Sequence, residues 1–326
     1  MKVISTSPSF AKYSKEPIEY LNRYGIQVEY LPADINEDEF INRIQDVDGL
    51  IVAFTKINSS VLDNAPKLKI VCKHGVGVDN IDLEETRKRN IYVTNVPNAN
   101  KHAVADFAFG LILSVARQIP QANEFTKKGK WTRIFGSDVY GKNIGIIGLG
   151  NIGKQVALRA EGFNMKILAY DPYPDMKFAD KYKVKFLPLG ELLEQSDFVT
   201  IHIPLIEKTR NLIDLNKLKL MKRTAYLVNA SRGGIVVEDD LYSVLKEKVI
   251  SGAAMDVFSK EPMKTNPLFE LPNFIASPHI AGYTAGAINA LGMTCAKNIA
   301  NVLINKKLVK TKNQRERVIP LIPVFL

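Results

Sequence analysis

Short apolar runs alternate along most of the chain with segments in which apolar residues recur at helical spacing. Helical periodicity covers Pro17–Tyr24 and Asp38–Gln45. Five apolar runs occur in the first hundred residues, at Val3–Ile4, Val28–Tyr30, Leu50–Ala53, Ile70–Val71 and Tyr92–Val93. This alternation of strand and helix predicts a parallel sheet with helices on both faces.

A second alternating series begins at Asn143. Its helical segments include Asn151–Gly162, Leu189–Gln195 and Glu238–Lys248. Strands are expected at six runs, namely Ile144–Leu149, Lys166–Tyr170, Phe198–Ile203, Ala225–Val228, Gly252–Asp256 and Asn273–Ile275. Both series together predict an α/β protein with two doubly wound parallel-sheet domains.

Two longer apolar helices complete the pattern. The first runs from about His102 to Arg117 and is apolar on nearly every face, which indicates burial at a domain or subunit interface. Pro120 is expected to end it. The second runs from about Ala285 to Leu303, and the remaining segment, Lys306–Leu326, is expected to form an extended tail.

Length and composition exclude several protein classes. A chain of 326 residues is long enough for two cores. No apolar run reaches the roughly 18–20 residues that cross a bilayer, and Met1–Ser5 turns polar too early for a secretory signal. The two cysteines, Cys72 and Cys295, are too few and too far apart for a disulfide scaffold or a paired-cysteine metal site. We therefore expect a cytoplasmic protein without a bound metal.

The formal net charge is +10, from 44 Lys and Arg against 34 Asp and Glu. A basic balance can indicate a nucleic-acid partner. Here the charges are spread along the chain, and no basic stretch is interleaved with aromatic residues. We expect no nucleic-acid partner, while a basic surface suits a small anionic substrate.

The glycine motif Gly148-Leu149-Gly150-Asn151-Ile152-Gly153 follows an apolar run and opens a predicted helix. In that context it is typical of dinucleotide binding, because Gly148 permits a tight turn, Gly150 lets the backbone approach the pyrophosphate, and Gly153 lets helix and strand pack closely. The phosphates would bind the free amides at the helix N-terminus, including those of Asn151 and Ile152. A glycine-rich turn without a ligand is the alternative.

Asp171 ends the next predicted strand, 171 − 148 = 23 residues after the first glycine. An acid at about this spacing accepts hydrogen bonds from the adenosine ribose of NAD. The same carboxylate would repel the 2′-phosphate of NADP, and the residues that follow, Pro172–Pro174, supply no arginine to bind one. The sequence therefore favours NAD over NADP.

Four histidines are the candidates for an acid/base group: His74, His102, His202 and His279. His279 is favoured because it follows the last predicted strand of the second series, where ligands collect in open α/β sheets. An ordinary loop histidine is the alternative for each of the four.

Two further side chains lie at predicted strand ends. Arg232, in Asn229–Gly234, follows the run Ala225–Val228, and its guanidinium could bind a carboxylate there; a surface arginine is the alternative. Glu261 follows the run Gly252–Asp256. A carboxylate near an imidazole stabilises its charged form and fixes its tautomer.

Taken together, these motifs resemble the D-isomer-specific 2-hydroxyacid dehydrogenase family over essentially the whole chain. The resemblance rests on the glycine motif, Asp171, Ser231–Gly234, Asp256 with Glu261-Pro262, and Pro278–Gly282. It implies hydride transfer between NAD and the C2 atom of a small 2-hydroxy or 2-keto acid. Arg232 would bind the substrate carboxylate and C2 oxygen, His279 would be the general acid/base, and Glu261 would stabilise the imidazolium.

The resemblance also implies binding roles for other residues. Asp256 would contact the nicotinamide, and the cofactor would further touch Arg232, His279 and four neighbours, namely Pro204, Ala230, Ser231 and Gly282. The loop Lys73-His74-Gly75-Val76-Gly77 resembles the family's substrate loop, whose backbone amides complete the carboxylate pocket. Lys73 stands where many relatives have arginine. Lysine keeps the positive charge but cannot form the paired hydrogen bonds of a guanidinium group. Asp106 and Ser231 stand where glutamate and alanine are more usual.

Domain limits, assembly and substrate follow from the same resemblance. A Rossmann cofactor domain, residues 99–285, would be inserted into a flavodoxin-like substrate domain made of residues 1–98 and 286–326. Gln121–Val139, which contains Trp131, resembles the arm through which family members form homodimers.

The substrate is the least determined property. The region His74–Asp82 is most similar to phosphoglycerate dehydrogenases, although the chain ends without the regulatory domain that many of them carry, so feedback through such a domain is not expected. The sequence thus favours 3-phosphoglycerate. Reduction of glyoxylate, hydroxypyruvate or another 2-keto acid is the alternative, and an NAD(H)-responsive protein-binding scaffold is a more distant one.

Overall fold

The computed structural model describes residues 1–305, so the tail predicted at 306–326 lies outside the described residues. The described residues divide into two units: unit 1 contains Met1–Asn100 and residues 283–305, and unit 2 contains Lys101–Gly282. The limits predicted from the sequence, 98/99 and 285/286, fall two and three residues from these.

Unit 1 is built on a parallel sheet of five strands in the order β2-β1-β3-β4-β5. The strands are β1 Lys2–Ser5, β2 Gln27–Tyr30, β3 Gly49–Val52, β4 Ile70–Lys73 and β5 Tyr92–Thr94. The first four helices of the chain and its last helix belong to this unit: α1 Glu16–Asn22, α2 Glu37–Ile44, α3 Ser59–Asp63, α4 Leu83–Lys88 and α12 Ala285–Ala300, which continues into a π-helical turn, Asn301–Asn305. This strand order is that of flavodoxin-like folds.

Side-chain caps fix the starts of four of the five helices given for unit 1; Lys15, which precedes α1, makes no side-chain cap. Asn36, Asn58 and Asp82 each precede a helix and accept a hydrogen bond from a backbone amide three residues later, at 2.9–3.0 Å. Thr284 caps α12 in the same way, at 3.2 Å. Such caps satisfy amides that have no partner inside the helix and so set where each helix begins.

Unit 2 is built on a parallel sheet of seven strands in the order β12-β11-β10-β9-β6-β7-β8. The strands are β6 Asn143–Ile147, β7 Lys166–Tyr170, β8 Lys185–Phe186, β9 Phe198–Ile201, β10 Tyr226–Asn229, β11 Gly252–Met255 and β12 Phe274–Ala276. The helices are α5 Lys101–Arg117, α6 Ile119–Lys127, α7 Asn151–Gly162, α8 Met176–Tyr182, α9 Leu189–Gln195, α10 Leu215–Leu220 and α11 Glu238–Lys246. The fold is therefore α/β with two parallel sheets, as the sequence predicted.

The strand order of unit 2 locates a ligand site. Neighbouring β6 and β9 are the strands from which the chain proceeds in opposite directions across the sheet. In open parallel sheets, ligands bind beyond the carboxyl ends of the strands at this switch point. The glycine motif follows β6 there, and the loops after β7, β9, β10, β11 and β12 lie along the same edge.

One local prediction was wrong. Pro120 does not simply end the long helix; α5 ends at Arg117, Gln118 adopts a left-handed conformation with φ +49°, and Pro120 then lies in the first turn of α6. Proline suits that position because the amide it lacks would have no partner in the helix. Among the described residues, no single helix is long and apolar enough to span a membrane; α5 and α6 pass that test only together, and they meet at a bend of 62°.

Candidate active site

The glycine motif forms a tight turn that other residues could not adopt. Gly148 has φ +94° and its amide donates to Tyr170 O at 2.8 Å. A Cβ atom on Gly148 would lie 2.6 Å from His202 O, and one on Gly153 would lie 2.1 Å from Gly148 O. Both contacts are with backbone atoms and cannot be relieved by a side-chain rotation, so the turn and the strand-helix packing each require glycine.

The space above the start of α7 suits a phosphate group. Gly150 is the N-cap residue and no side chain caps the helix. A Cβ atom on Gly150 would meet nothing within 4 Å, so the approach to the helix amides is open. Asn151 is exposed and Ile152 is half-buried against the core. Free amides at a helix N-terminus bind anions, and the chain therefore fits the pyrophosphate of a dinucleotide here.

Asp171 has a second task that the sequence did not indicate. Its Oδ2 atom accepts from the amide of Leu149 at 2.8 Å, and its Oδ1 atom accepts from the amide of Tyr173 at 2.9 Å. The carboxylate is thus held directly beside the glycine motif. Each oxygen retains a lone pair, so it can also accept from ribose hydroxyls.

His202 and Pro204 follow β9, beside the glycine motif. Burial lowers the pKa of His202 to about 3, and its Nε2 lies 2.8 Å from Thr200 Oγ1. This histidine is neutral at physiological pH and does not serve as the acid/base group. Pro204 is exposed, and its carbonyl accepts from Thr209 Oγ1 at 2.7 Å.

Asn229, the last residue of β10, shapes the arginine loop. Its side-chain oxygen accepts from the amide of Ser231 at 3.1 Å and from Ser231 Oγ at 3.0 Å, while its Nδ2 donates to Arg232 O at 2.9 Å. Ala230 is buried between them, and Arg232 Nη1 donates to Ser231 O at 2.7 Å. A fully buried amide therefore fixes the backbone from which the arginine projects.

Asp256 fixes the backbone around His279 in a similar way. It is fully buried after β11, and its carboxylate accepts from Ser277 Oγ at 2.6 Å and from the amides of Ile280 and Ala281 at 2.9 and 2.8 Å. Its carbonyl accepts from the amide of His279 at 2.8 Å. These bonds hold His279 at φ +54°, a conformation that few non-glycine residues adopt. The predicted contact of Asp256 with nicotinamide stays a prediction.

Glu261 and His279 form a hydrogen-bonded pair, with Nδ1 of the imidazole 2.6 Å from Glu261 Oε2. The other oxygen of Glu261 accepts from the amide of Phe258 at 2.9 Å. Partial burial by itself raises the pKa of Glu261, but the hydrogen bond to His279 and its charge, the hydrogen bond from the Phe258 amide and the charge of Arg232 together outweigh it, and the pKa lies below its ordinary value. Glu261 is thus a carboxylate at neutral pH, which favours the Nδ1-protonated imidazole and leaves Nε2 as the ring nitrogen that does not face Glu261.

The three predicted catalytic residues follow three neighbouring strands. Arg232 lies after β10, Glu261 after β11 and His279 after β12. The first two loops touch: a Cβ atom on Gly233 would lie 1.9 Å from Phe258 O. Asp171 lies on the opposite side of the switch point, after β7, so the predicted ribose-binding residue and the predicted catalytic residues lie toward opposite ends of this edge. Gly282, half-buried, closes the unit after His279.

The predicted substrate loop lies in unit 1, after β4. Lys73 Nζ donates to Ala53 O and, at 2.6 Å, to Asn80 Oδ1. The imidazole of His74 is buried against Phe10, 2.8 Å from Ser7 Oγ, so any substrate contact of this residue falls to its backbone. The backbone amides of three successive residues, Gly75, Val76 and Gly77, donate to no acceptor within residues 1–305. Such a set suits a carboxylate.

Two residues of the catalytic edge were missed as contributors, Asn229 and Ser277. Both are polar residues at the ends of strands, and Asn229 is fully buried. A polar residue that closes an apolar run directly before a glycine-rich loop was the available signal for Asn229. Ser277 gave no comparable signal, because only its contact with Asp256 distinguishes it.

Comparisons with known proteins agree with this geometry. Residues 109–281 match the family described as D-isomer specific 2-hydroxyacid dehydrogenase, NAD binding domain. The chain is 42% identical over 310 residues to a glyoxylate reductase of Thermococcus gammatolerans, covering 89% of this chain and 93% of that protein. It is 41% identical over 307 residues to a D-3-phosphoglycerate dehydrogenase of Methanocaldococcus jannaschii, covering 93% of this chain but 57% of the relative.

The fold has a counterpart with both ligands bound. A D-lactate dehydrogenase from Aquifex aeolicus, complexed with NAD and lactic acid, superposes with a TM-score of 0.82 at 26% identity, covering 93% of this chain and 95% of that one. The family match spans more than half of the chain, and two relatives exceed 40% identity over most of it. The chain therefore belongs to the D-isomer specific 2-hydroxyacid dehydrogenase family and is an NAD-dependent oxidoreductase.

Proposed function

We propose that this enzyme reduces glyoxylate to glycolate with NADH, and that hydroxypyruvate is its next-best substrate. The observation that carries the proposal is the 42% identity to a glyoxylate reductase, which extends over 89% of this chain and 93% of the relative. The sequence alone favoured 3-phosphoglycerate as the substrate. The comparisons favour the alternative, reduction of glyoxylate, hydroxypyruvate or another 2-keto acid.

The contacts of Lys73 support a substrate without a second anionic group. Lys73 is the cationic side chain of the predicted substrate loop, Lys73–Gly77. Two of its three ammonium hydrogens are taken by Ala53 O and Asn80 Oδ1. At most one of these hydrogens is therefore left for a phosphate, whereas glyoxylate has no second anionic group that needs one.

Each catalytic side chain has a separate role in the proposed reaction. The Arg232 guanidinium binds the substrate carboxylate and polarises the C2 carbonyl oxygen. When bound, the reduced nicotinamide supplies the hydride that C2 accepts. His279 donates a proton from Nε2 to the C2 oxygen, since its Nδ1 faces Glu261 at 2.6 Å. Glyoxylate, NADH and one proton thus give glycolate and NAD⁺, with Glu261 stabilising the imidazolium before the transfer.

The proposed reaction also assigns residues to the parts of the bound cofactor. Asp171 binds the adenosine ribose, and the free amides at the start of α7 bind the pyrophosphate. Asp256, Pro204, Ala230, Ser231 and Gly282 line the nicotinamide side. The predicted cytoplasmic setting suits this chemistry, and both buried cysteines are free thiols.

A direct assay tests the substrate. Initial rates of NADH oxidation are compared over glyoxylate, hydroxypyruvate, pyruvate, 2-ketoisocaproate and phosphohydroxypyruvate. We expect the highest kcat/KM with glyoxylate. A kcat/KM at least about tenfold higher with phosphohydroxypyruvate would instead establish the phosphoglycerate function, for which the 41% identical relative argues. No activity with any of the five acids would instead favour an NAD(H)-responsive protein-binding scaffold.

We further propose that the enzyme is a homodimer joined through Gln121–Val139. Two aromatic side chains of this segment, Trp131 and Phe135, are 90% and 95% exposed. Large apolar side chains so exposed are typical of contact surfaces. Light scattering after size exclusion should give twice the chain mass for the parent and a monomer for Trp131→Ser combined with Phe135→Ser; a parental monomer contradicts the proposal.

A further inference from the structure

The loop that carries Glu261 is held by an acid outside the catalytic set. Glu238 is the first residue of α11, and its side chain is half-buried. Its Oε1 atom accepts from the amide of Ser259 at 2.7 Å, and its Oε2 atom accepts from Asn266 Nδ2 at 2.8 Å. The two partners lie on either side of Glu261 in the chain.

Apart from Glu238, the loop is held mainly at its two ends, where Val257 and Phe258 are buried and Asn266 Oδ1 accepts from the amide of Leu268 at 3.0 Å. Residues 257–266 form neither helix nor strand, and most of them are exposed. Glu261 Oε1 braces the loop from inside by accepting from the amide of Phe258. The carboxylate of Glu238 is the contact that ties both sides of the loop to a regular helix. Charge-assisted bonds of this kind are stronger than those between neutral groups.

We propose that Glu238 is a positioning residue for proton transfer, because it anchors the loop 257–266 so that Glu261 stays within hydrogen-bonding distance of His279. The proposal rests on the roles assigned above to Glu261 and His279. Catalysis is sensitive to the placement of such groups, and a displacement of about 1 Å can cost about a hundredfold in rate. Glu238 touches neither substrate nor cofactor and acts only through Glu261.

A helix-start carboxylate also stabilises the helix itself, so the test needs a matched control. Asp240 lies in the same first turn of α11, and its Oδ2 atom accepts from the amide of Leu215 at 2.8 Å. Asp240→Asn therefore removes a carboxylate and weakens a bond to another segment, as Glu238→Gln does. It leaves the loop 257–266 untouched.

The experiment compares Glu238→Gln, Asp240→Asn, Glu261→Gln and the double variant Glu238→Gln/Glu261→Gln with the parent. For each, kcat and KM for 2-keto acid reduction are measured across pH, with the NADH Kd by fluorescence titration. We expect Glu238→Gln to lower kcat roughly tenfold and to move the alkaline limb of the kcat profile to lower pH, toward that of Glu261→Gln. Its NADH Kd and the kcat of Asp240→Asn should stay near parental values.

The double variant shows whether Glu238 acts through Glu261. If it does, adding Glu238→Gln to Glu261→Gln lowers kcat no further, because the positioned group is already gone. A kcat for Glu238→Gln equal to that of Asp240→Asn, or additive losses in the double variant, would overturn this proposal alone. A parental kcat for Glu261→Gln would overturn it together with the role of Glu261 in the proposed function.

Discussion

At the residue scale, His279 is constrained from two directions. Asp256 holds its backbone at positive φ, and Glu261 holds its Nδ1 at 2.6 Å. Neither contact involves the cofactor motif, which lies after β6 at a distance of several strands in the sheet. Acid/base function and cofactor binding are therefore separable by substitution.

We expect His279→Gln to lower kcat by a factor of about 10² to 10⁴, the usual contribution of a general acid. The NADH Kd should change less than about threefold, since the phosphate and ribose contacts remain. Steady-state rates and fluorescence titration measure the two quantities. His102→Gln is the control, because His102 is exposed at the start of α5. Parental turnover in His279→Gln would contradict the acid/base role.

Asp171 should decide the choice between the two nicotinamide cofactors. In Asp171→Asn, the negative charge that faces a 2′-phosphate is lost, so the ratio of kcat/KM with NADPH to that with NADH should rise roughly tenfold or more. Asp175→Asn is the matched control: Asp175 caps α8 and binds Lys154 at 2.6 Å, on the same loop. An unchanged ratio in Asp171→Asn would mean that another group discriminates the ribose.

At the element scale, two glycines at the start of α7 are expected to have different roles: Gly153 in packing and Gly150 in cofactor binding. Gly153→Ala forces a Cβ atom to 2.1 Å from Gly148 O, so we expect a lower Tm as well as weak NADH binding. Gly150→Ala places its Cβ in open space. Its Tm should stay within a few degrees of the parent, whereas the NADH Kd should rise at least about tenfold because the methyl group occupies the phosphate approach.

Scanning calorimetry without cofactor and titration with NADH distinguish the two effects. Equal losses of Tm in both variants would show that the motif serves packing alone. Equal retention of NADH affinity in both would show that the pyrophosphate binds elsewhere.

Strands and long helices were predictable because burial leaves a periodic trace in the sequence. All four residues of β3 are buried, and the run Leu50–Ala53 marks them. The two-residue strand β8, Lys185–Phe186, leaves no such trace, because it pairs only at the sheet edge. Helix α6 was missed because no residue in it is buried, and Pro120, a helix breaker in isolation, opens it.

At the scale of the whole molecule, candidate site residues could be selected from the sequence where one chain segment carries the motif. The glycine motif is recognisable from its spacing together with the strand and helix predicted around it, and Asp171 from its spacing to that motif. The contacts of Lys73 were not, because its acceptors Ala53 and Asn80 come from other segments that only the fold of unit 1 brings together. The same holds for Glu238, whose partners lie 21 and 28 residues away. The residues proposed to influence substrate choice and loop position thus depend on tertiary contacts that the sequence pattern does not reveal.

Buried histidines should make the stability of both units depend on pH. Burial, aided by the charge of Lys73, lowers the pKa of His74 from 6.5 to about 4, and burial lowers that of His202 to about 3. Each histidine binds a proton more readily when unfolded, so its stabilisation is complete above pH 6.5 and is lost as pH falls toward the folded pKa. For His74 the loss is on the order of 3 kcal/mol by pH 4.

We therefore expect the parental Tm to fall between pH 7 and pH 5, and His74→Asn to lose part of that fall. Asparagine places an amide near the position of Nδ1, where it can still bond to Ser7 Oγ, but it carries no proton in this range. His74→Asn starts from a lower Tm at pH 7, so the informative quantity is the pH slope rather than the Tm itself. His102→Gln, at an exposed position, should keep the parental slope. A slope in His74→Asn as steep as the parent's would mean that His74 is protonated equally in the folded and unfolded chains.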